Sequence, residues 1–365
     1  SLRFPFEECR RGQQRMMEEV HQVIIDGDQL FVQAPTGIGK TMAVILPALK
    51  TISQGKIDRM FYLTARSTGK QVAEEAFSIL MDQGLRLKTV TLTAKEKICF
   101  KADAECNRDE CEFARGYHDR IDEAITRALE TDCLGRDVVE KIARQTMVCP
   151  FELSLELSEL ADCIICDYNY VFDPQANLRR FFSRPRETYL FLVDEAHNLV
   201  DRSREMFSAD IRKQAFLDVR RQIKKSLPDV YSALGKVNTC LLRFMKASPD
   251  KAQAFAETEL PEDLWQALSD FIKACETWLA LNRDAPFRET LLELYFGVTR
   301  FLKVTELFDA SYAVCCERFA KDFRVRLFCI DPSGPLSRVL EKGRATIFFS
   351  ATLTPTEYFQ KIFGC

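Results

Sequence analysis

The stretch Ala34-Pro35-Thr36-Gly37-Ile38-Gly39-Lys40-Thr41 puts two glycines, a lysine and a hydroxyl at the spacing that phosphate chemistry needs. In such a loop the backbone N–H groups and the positive end of the following helix face phosphate oxygens. Lys40 adds a mobile charge, and Thr41 offers a hydroxyl to Mg²⁺. The usual first glycine of the pattern is Ala34 here. A second constellation, Asp194-Glu195-Ala196-His197, follows the apolar run Tyr189-Leu190-Phe191-Leu192-Val193. Two carboxylates at the tip of a buried strand are costly unless they meet a cation. Asp194 is therefore expected to hold Mg²⁺ through water, and Glu195 to polarise the water that attacks a γ-phosphate. His197, one of only 3 histidines, is placed to couple this centre to a neighbouring site. An ordinary strand-to-helix turn and a helix N-terminus rich in acid would explain either motif alone. The two together point to an ATP site built from Lys40, Thr41, Asp194 and Glu195.

Weaker signals surround this pair. Gln13 precedes the loop at a distance suited to reading a purine, or to an ordinary surface position. Thr64 and Arg66 end the strand-like Arg59-Met60-Phe61-Tyr62-Leu63, and Ser350 and Thr352 follow Thr346-Ile347-Phe348-Phe349. Small hydroxyl residues beside the acids suit a relay from nucleotide to polymer, although serine and threonine also form plain loops. Cys99, Cys106, Cys111 and Cys149 fall in one stretch, without zinc-ribbon C-x₂-C pairs or the bacterial ferredoxin run. Four thiolates could hold zinc or a [4Fe–4S] cluster, or remain free. Cys133 is a fifth thiol in this stretch and ranks behind them.

The elements that must position these residues alternate. A helix over residues 10–25 carries Met16, Met17, Val20, Val23 and Ile24 on one stripe. Strands are expected at Gln29–Gln33, Arg59–Leu63, Thr89–Leu92, Asp162–Asp167 and Tyr189–Val193, with helices at Met42–Ile52 and Thr68–Leu80. Pro47 would kink or shorten the first of these helices. This alternation implies a parallel sheet covered on both faces, with ligands at the carboxyl ends of its strands. Lys40, Thr64, Arg66 and Asp194 all fall at such ends. The pattern breaks over 93–161, where residues 112–145 read as helical. It breaks again from Asp201 to about Phe323, where Leu291, Leu292, Tyr295, Val298, Phe301, Leu302 and Leu307 trace a helical face. The basic pairs Arg212-Lys213, Arg220-Arg221 and Lys224-Lys225 read as a solvated helix face rather than a nucleic-acid surface. Val325–Ile330 and Thr346–Phe349 are read as the sheet's return.

A chain of 365 residues that is 47% hydrophobic has room for two or three domains with sizeable cores. A net charge of −3 argues against a bulk polyanion binder but permits a local basic groove. No apolar run is long enough to span a bilayer, and no signal peptide opens the chain. A cytoplasmic location is expected, where 14 cysteines would stay reduced. A first residue of Ser1 and an end at Cys365 imply a piece of something longer.

Taken in order, these motifs resemble the Rad3/XPD-type superfamily 2 DNA helicases, in the bacterial DinG-like branch. Phe4-Pro5-Phe6 with Arg11-Gly12-Gln13 is similar to the family's N-terminal motif. Ala34 to Thr41 resembles motif I, Leu63-Thr64-Ala65-Arg66 motif Ia, Asp194 to His197 motif II, and Ser350 to Leu353 motif III. Asp167-Tyr168-Asn169-Tyr170 with Asp173-Pro174 also matches a family segment, and Cys149-Pro150-Phe151 resembles the last ligand of its iron–sulfur domain.

The resemblance implies an α/β, RecA-like P-loop sheet at 1–92, 162–204 and 324–365. It also implies a small helical iron–sulfur insertion at 93–161 and an all-helical Arch-like insertion at 205–323. Cys99, Cys106, Cys111 and Cys149 would hold [4Fe–4S]; the close spacing of Cys106 and Cys111 differs from the XPD pattern. Thr64 and Arg66 would touch single-stranded DNA, and Ser350 and Thr352 would couple it to ATP. The implied function is 5′→3′ unwinding of forked DNA in repair or replication. The family's second RecA-like domain, with its arginine finger, is expected beyond Cys365, and the chain alone is expected to be inactive. An RNA translocase and an ATP-gated redox switch are the competing readings.

Overall fold

The computed structural model describes residues 2–101, 106, 109–174, 182, 187–224, 226–247, 253–282, 287–319 and 322–365. Strands that are apolar on both faces are stable only between two covering layers. The first unit, Ser1–Val200 with Ser333–Cys365, is built on such strands. They are β1 (Gln29–Gln33), β2 (Arg59–Leu63), β3 (Thr89–Thr91), β4 (Cys133–Leu134), β5 (Cys163–Cys166), β6 (Tyr189–Asp194) and β11 (Gly343–Ser350). Their order is β1-β11-β6-β2-β5-β3-β4, and every neighbouring pair is parallel. All carboxyl ends therefore share one edge.

Alternation sorts the side chains between two layers. Met60 and Tyr62 of β2, Leu190 and Leu192 of β6, and Ile347 and Phe349 of β11 face one layer. That layer holds α1 (Gln13–Asp26), α2 (Lys40–Ser53) and α3 (Ser67–Asp82), which contribute Val20, Ile24, Ile45, Leu49, Ala73 and Phe77 to the same core. Phe31, Phe61, Phe191 and Phe348 line the other face, with Phe31 stacked on Phe348 at 4.7 Å and Phe348 on Phe363 at 4.9 Å. The helix α2 continues through Pro47 to Ser53, so the proline does not shorten it.

The 93–161 stretch is not wholly helical. Between the helices Tyr117–Ala128 and Arg136–Thr146 lies β4, which pairs in parallel with β3 and extends the sheet. Two residues are too few for periodicity to reveal a strand.

The second unit, Asp201–Pro332, corrects a larger expectation. It is not all-helical. Beside the helices Lys213–Gln222, Pro228–Ala247, Glu262–Leu281 and Arg288–Thr305 it holds β7 (Ala209–Arg212), β8 (Ala254–Glu257), β9 (Tyr312–Arg318) and β10 (Phe323–Cys329). These form an antiparallel sheet in the order β7-β10-β9-β8. Val325–Ile330 therefore belongs, through β10, to this sheet and not to the seven-stranded one, so the 323/324 boundary falls too early. The physical reason is the burial pattern. Phe323, Val325, Leu327 and Cys329 are buried and their alternate neighbours are not, as one-sided antiparallel strands require. Strands of the seven-stranded sheet are buried on both faces, as β6 is.

Three arginines of the basic pairs in this unit are occupied locally. Arg221 meets Asp218 at 3.0 Å, Arg212 meets Asp210 at 3.9 Å, and Arg220 lies 4.2 Å over the Tyr231 ring. Lys225 lies outside the described residues. Among the described residues no helix is long and apolar enough to cross a membrane.

Candidate nucleotide site

The loop between β1 and α2 turns on Gly37 and Gly39, at φ 86° and 79°, a left-handed region that glycine enters without strain. Gly39 has a second constraint, because a Cβ there would sit 2.5 Å from Gln13 Nε2. Gln13 is buried and donates from Nε2 to Gly39 O at 3.2 Å, while its Oε1 accepts from Arg10 N at 3.0 Å. Arg10 donates in turn to the Gly37 carbonyl. Gln13 thus braces the back of the phosphate loop, and Arg10, which the motif reading passed over, works with it. Lys40, the first residue of α2, donates to Ala34 O at 3.0 Å and Pro35 O at 3.3 Å. Phosphate would replace these two carbonyls as its partners.

Asp194 ends β6, with its carboxylate buried. Its pKa is raised from 3.8 to about 6, first by burial and then by the charge of Glu195; Tyr62, the Glu195 N–H and Lys40 oppose the rise. Tyr62 lies near both Asp194 and Thr41. Its hydroxyl and that of Thr64 are buried with no partner that meets hydrogen-bond geometry. A Cβ on Gly69 would lie 2.2 Å from Thr64 Oγ1 and 3.2 Å from Asp194 Oδ2. Thr64 therefore packs beside the acid. At 1% exposure it offers no surface to a polymer, contrary to the DNA-contact expectation, because its side chain shares the α3-facing side of the sheet. Arg66, the N-cap residue of α3, is exposed. A buried carboxylate beside unsatisfied hydroxyls fits hydrated Mg²⁺, whose waters would satisfy them.

Glu195 reaches the end of β11. Ser350 Oγ donates to Glu195 Oε2 at 3.1 Å and lies 2.7 Å from His197 Nδ1, which is itself 3.3 Å from Glu195 Oε2. The Thr352 N–H donates to Ser350 Oγ at 3.3 Å, and Ala34 N donates to Ser350 O at 3.0 Å. The structure thus brings together Lys40, Thr41, Asp194, Glu195, His197, Ser350 and Thr352 at one edge of the sheet. It adds Tyr168, whose phenol donates to the carbonyls of Asp194 and Glu195.

The cysteines gather less completely. Lys95 is held above its ordinary pKa, first by a hydrogen bond with Cys106 and then by the charges of Cys106, Cys99 and Cys149. Cys111 is buried. Among the described residues no three His, Cys, Asp or Glu side chains meet in a grouping that could hold a metal ion. Cys133 lies in β4 with its sulfur 3.1 Å from Met81 Sδ.

Comparisons with known proteins find helicase families and relatives. Residues 10–135 match the DEAD/DEAH box helicase family model, and residues 83–216 match the DEAD_2 model. The chain is 26% identical over 274 residues to the regulator of telomere elongation helicase 1 homolog of Caenorhabditis briggsae, covering 62% of this chain and 27% of that protein. It is 19% identical over 464 residues to the general transcription and DNA repair factor IIH helicase subunit XPD of Schizosaccharomyces pombe, covering 98% of this chain and 59% of that one. A solved XPD helicase superposes with a TM-score of 0.62 at 17% identity, over 98% of this chain and 61% of its own, which shows the shared fold. The chain spans about a quarter of the length of the first of these relatives. Fold and motifs define a RecA-like α/β domain of the DEAD/DEAH class. Within that class the relatives it resembles are Rad3/XPD-type superfamily 2 helicases.

Proposed function

We propose that this chain contributes the first motor lobe of an ATP-dependent DNA helicase that moves 5′→3′ on single-stranded DNA and opens forked duplexes in repair or replication. The observation that supports this most is the meeting of three motifs in one hydrogen-bonded group. Lys40 stands in the phosphate loop, Asp194 and Glu195 end β6, and Ser350 bonds to Glu195 from β11. The β- and γ-phosphates would take the loop N–H groups and Lys40. Thr41 and Asp194 would hold Mg²⁺, which neutralises charge on the phosphates, and Glu195 would polarise the attacking water. Ser350, Thr352 and His197 would report the state of Glu195 to the nucleic-acid side. Gln13 would hold the loop in register, with the purine edge as a further contact.

Single-stranded DNA would cross the carboxyl-end loops at exposed Arg66, held by backbone charge and base stacking with little sequence preference. Thr64 is reassigned from DNA contact to support of Asp194. The direction of travel, the DinG-like branch and the cytoplasmic location rest on the resemblance. So does a [4Fe–4S] cluster on Cys99, Cys106, Cys111 and Cys149; the nearness of three of these thiols to Lys95 supports it. The resemblance also places ATP between two RecA-like lobes, of which the seven-stranded sheet is one. An arginine from the other lobe can be worth roughly 10³ to 10⁵ in rate. A polypeptide of these residues alone would then turn ATP over only slowly.

ATP hydrolysis and strand separation by the full-length protein, on matched DNA and RNA forks, test the reading. DNA-stimulated turnover that Lys40→Ala abolishes is expected. Equal unwinding of RNA forks would move the assignment to an RNA translocase. ATP turnover indifferent to nucleic acid would favour a redox switch. Anaerobic protein is expected to carry about four irons and four sulfides per chain. Serine at Cys99, Cys106, Cys111 or Cys149 should lose iron, while Cys133→Ser should retain it. Zinc in place of iron would reject the cluster.

A further inference from the structure

The turn that follows β6 is held in a shape that side chains rarely adopt. Glu195 has φ 46° and ψ 46°, in the left-handed region, although it is not glycine. Strain of this kind persists only where the surroundings hold it. The surroundings here include one phenol. Tyr168 is fully buried, two residues beyond the end of β5, and its hydroxyl donates to Glu195 O at 3.1 Å and also to Asp194 O. A single donor thus holds the carbonyls of both acids. The same turn sets the Glu195 carboxylate 3.1 Å from Ser350 Oγ and 3.3 Å from His197 Nδ1. A relaxed backbone at Glu195, with negative φ, would swing the carboxylate away from both.

A buried tyrosine needs a partner for its hydroxyl in any protein. This partner is singular because it is the peptide whose strained geometry aims the acid. We propose that Tyr168 is a positioning residue for ATP hydrolysis: its hydroxyl fixes the left-handed turn that points Glu195 at the attacking water. Tyr168 would act through the acid rather than on the nucleotide. The inference rests on the ATPase reading given above.

Tyr168→Phe keeps the ring and removes only the donor. In the full-length protein, with saturating single-stranded DNA, kcat should fall roughly 10- to 100-fold, in the range of losses when a reacting group is misplaced. KM for ATP, and the Kd of a fluorescent non-hydrolysable ATP analogue, should stay within about twofold. Because the tyrosine acts through the acid, adding Y168F to E195Q should cost nothing further. Hydrogen exchange at the amides of 194–198 should quicken in Y168F while β2 and β11 keep their protection. That measurement needs no activity and also shows whether the variant is folded.

An unchanged kcat would overturn the proposal, as would a full additional loss in the E195Q background. So would a fall in kcat matched by equal loss of nucleotide binding, or exchange quickened across the whole sheet. If the wild-type protein neither bound nor hydrolysed ATP, the ATPase reading would fall first and this inference with it. Wild-type turnover with an indifferent Y168F would leave that reading standing and remove only the role of Tyr168.

Discussion

Asp194 sits in an environment that conflicts with its charge. Its carboxyl is raised from 3.8 to about 6, chiefly by burial. Between those values the folded protein holds a proton that the unfolded chain has released. The stabilisation is complete below about pH 3.8 and is lost as pH rises through about 6. Above that range, keeping the buried carboxylate charged costs on the order of 1.5 to 3 kcal/mol. Asp194→Asn should therefore raise the melting temperature of the nucleotide-free protein at pH 8, with the gain shrinking toward pH 5, while ATP turnover disappears. Melting curves at the two pH values check this; equal melting of wild type and variant at pH 8 would contradict it. Lys40, Asp194 and Glu195 were legible because their types recur at fixed offsets from an apolar strand. Tyr62 and Arg10 carry no such offset. Their contribution comes from what lies across the sheet or behind the loop, and a linear pattern does not contain that. Tyr168 was visible only as part of a motif segment, without its hydrogen bonds.

At the scale of elements, the close approach of α3 at Gly69 to Thr64 and the Asp194 carboxylate shapes the site. Gly69 has ordinary helical φ, so its value lies in space rather than in backbone freedom. Any Cβ there meets Thr64 Oγ1 at 2.2 Å and nears Asp194. Gly69→Ala should displace both, costing about 1–3 kcal/mol in stability as overpacking does, with ATP turnover falling at least tenfold. Gly297 is the internal control. It sits exposed in the helix Arg288–Thr305 with nothing near an added Cβ, so Gly297→Ala should stabilise by about 0.5–1 kcal/mol and leave turnover unchanged. Thermal melts and steady-state ATPase of the pair separate steric intrusion from helix propensity.

Apart from the two-residue β4, the strands of the first unit were legible to within a few residues, since runs such as Leu190-Phe191-Leu192-Val193 are buried on both sides. The second sheet was missed for two reasons. β7 and β8 have only four residues each, and β8 reads Ala-Phe-Ala-Glu, which is weak as a strand. β10 was recognised as a strand but given to the wrong sheet. Periodicity tells which face is covered, and only pairing partners tell which sheet a strand joins.

At the scale of the whole molecule, each of the two units is a separate sheet system, and the first is assembled from discontinuous sequence. Its strand β11 lies between β1 and β6, pairing Gln29 with Thr346 and Phe191 with the same residue from the other side. Arg344 also donates to Ile24 O across 320 positions of chain. Removing residues 333–365 would expose facing edges of β1 and β6 and uncover Phe31, which stacks on Phe348. Such a truncation should be recovered in inclusion bodies and the longer chain in the supernatant; sedimentation of lysates checks it. A soluble, cooperatively melting truncation would mean that β1 and β6 can pair directly.

The placement of β11 also sets an order of events on the ribosome. β1 is synthesised well before its partner β11, which emerges only after all of Asp201–Pro332. The self-contained second unit can fold while the phosphate loop still hangs from an unpaired strand, an edge that invites aggregation. From the synthesis of β1 until β11 emerges, the glycine-bearing loop thus lacks its flanking strand, and chaperone binding to the Leu30–Val32 segment is the protection such an order of birth calls for.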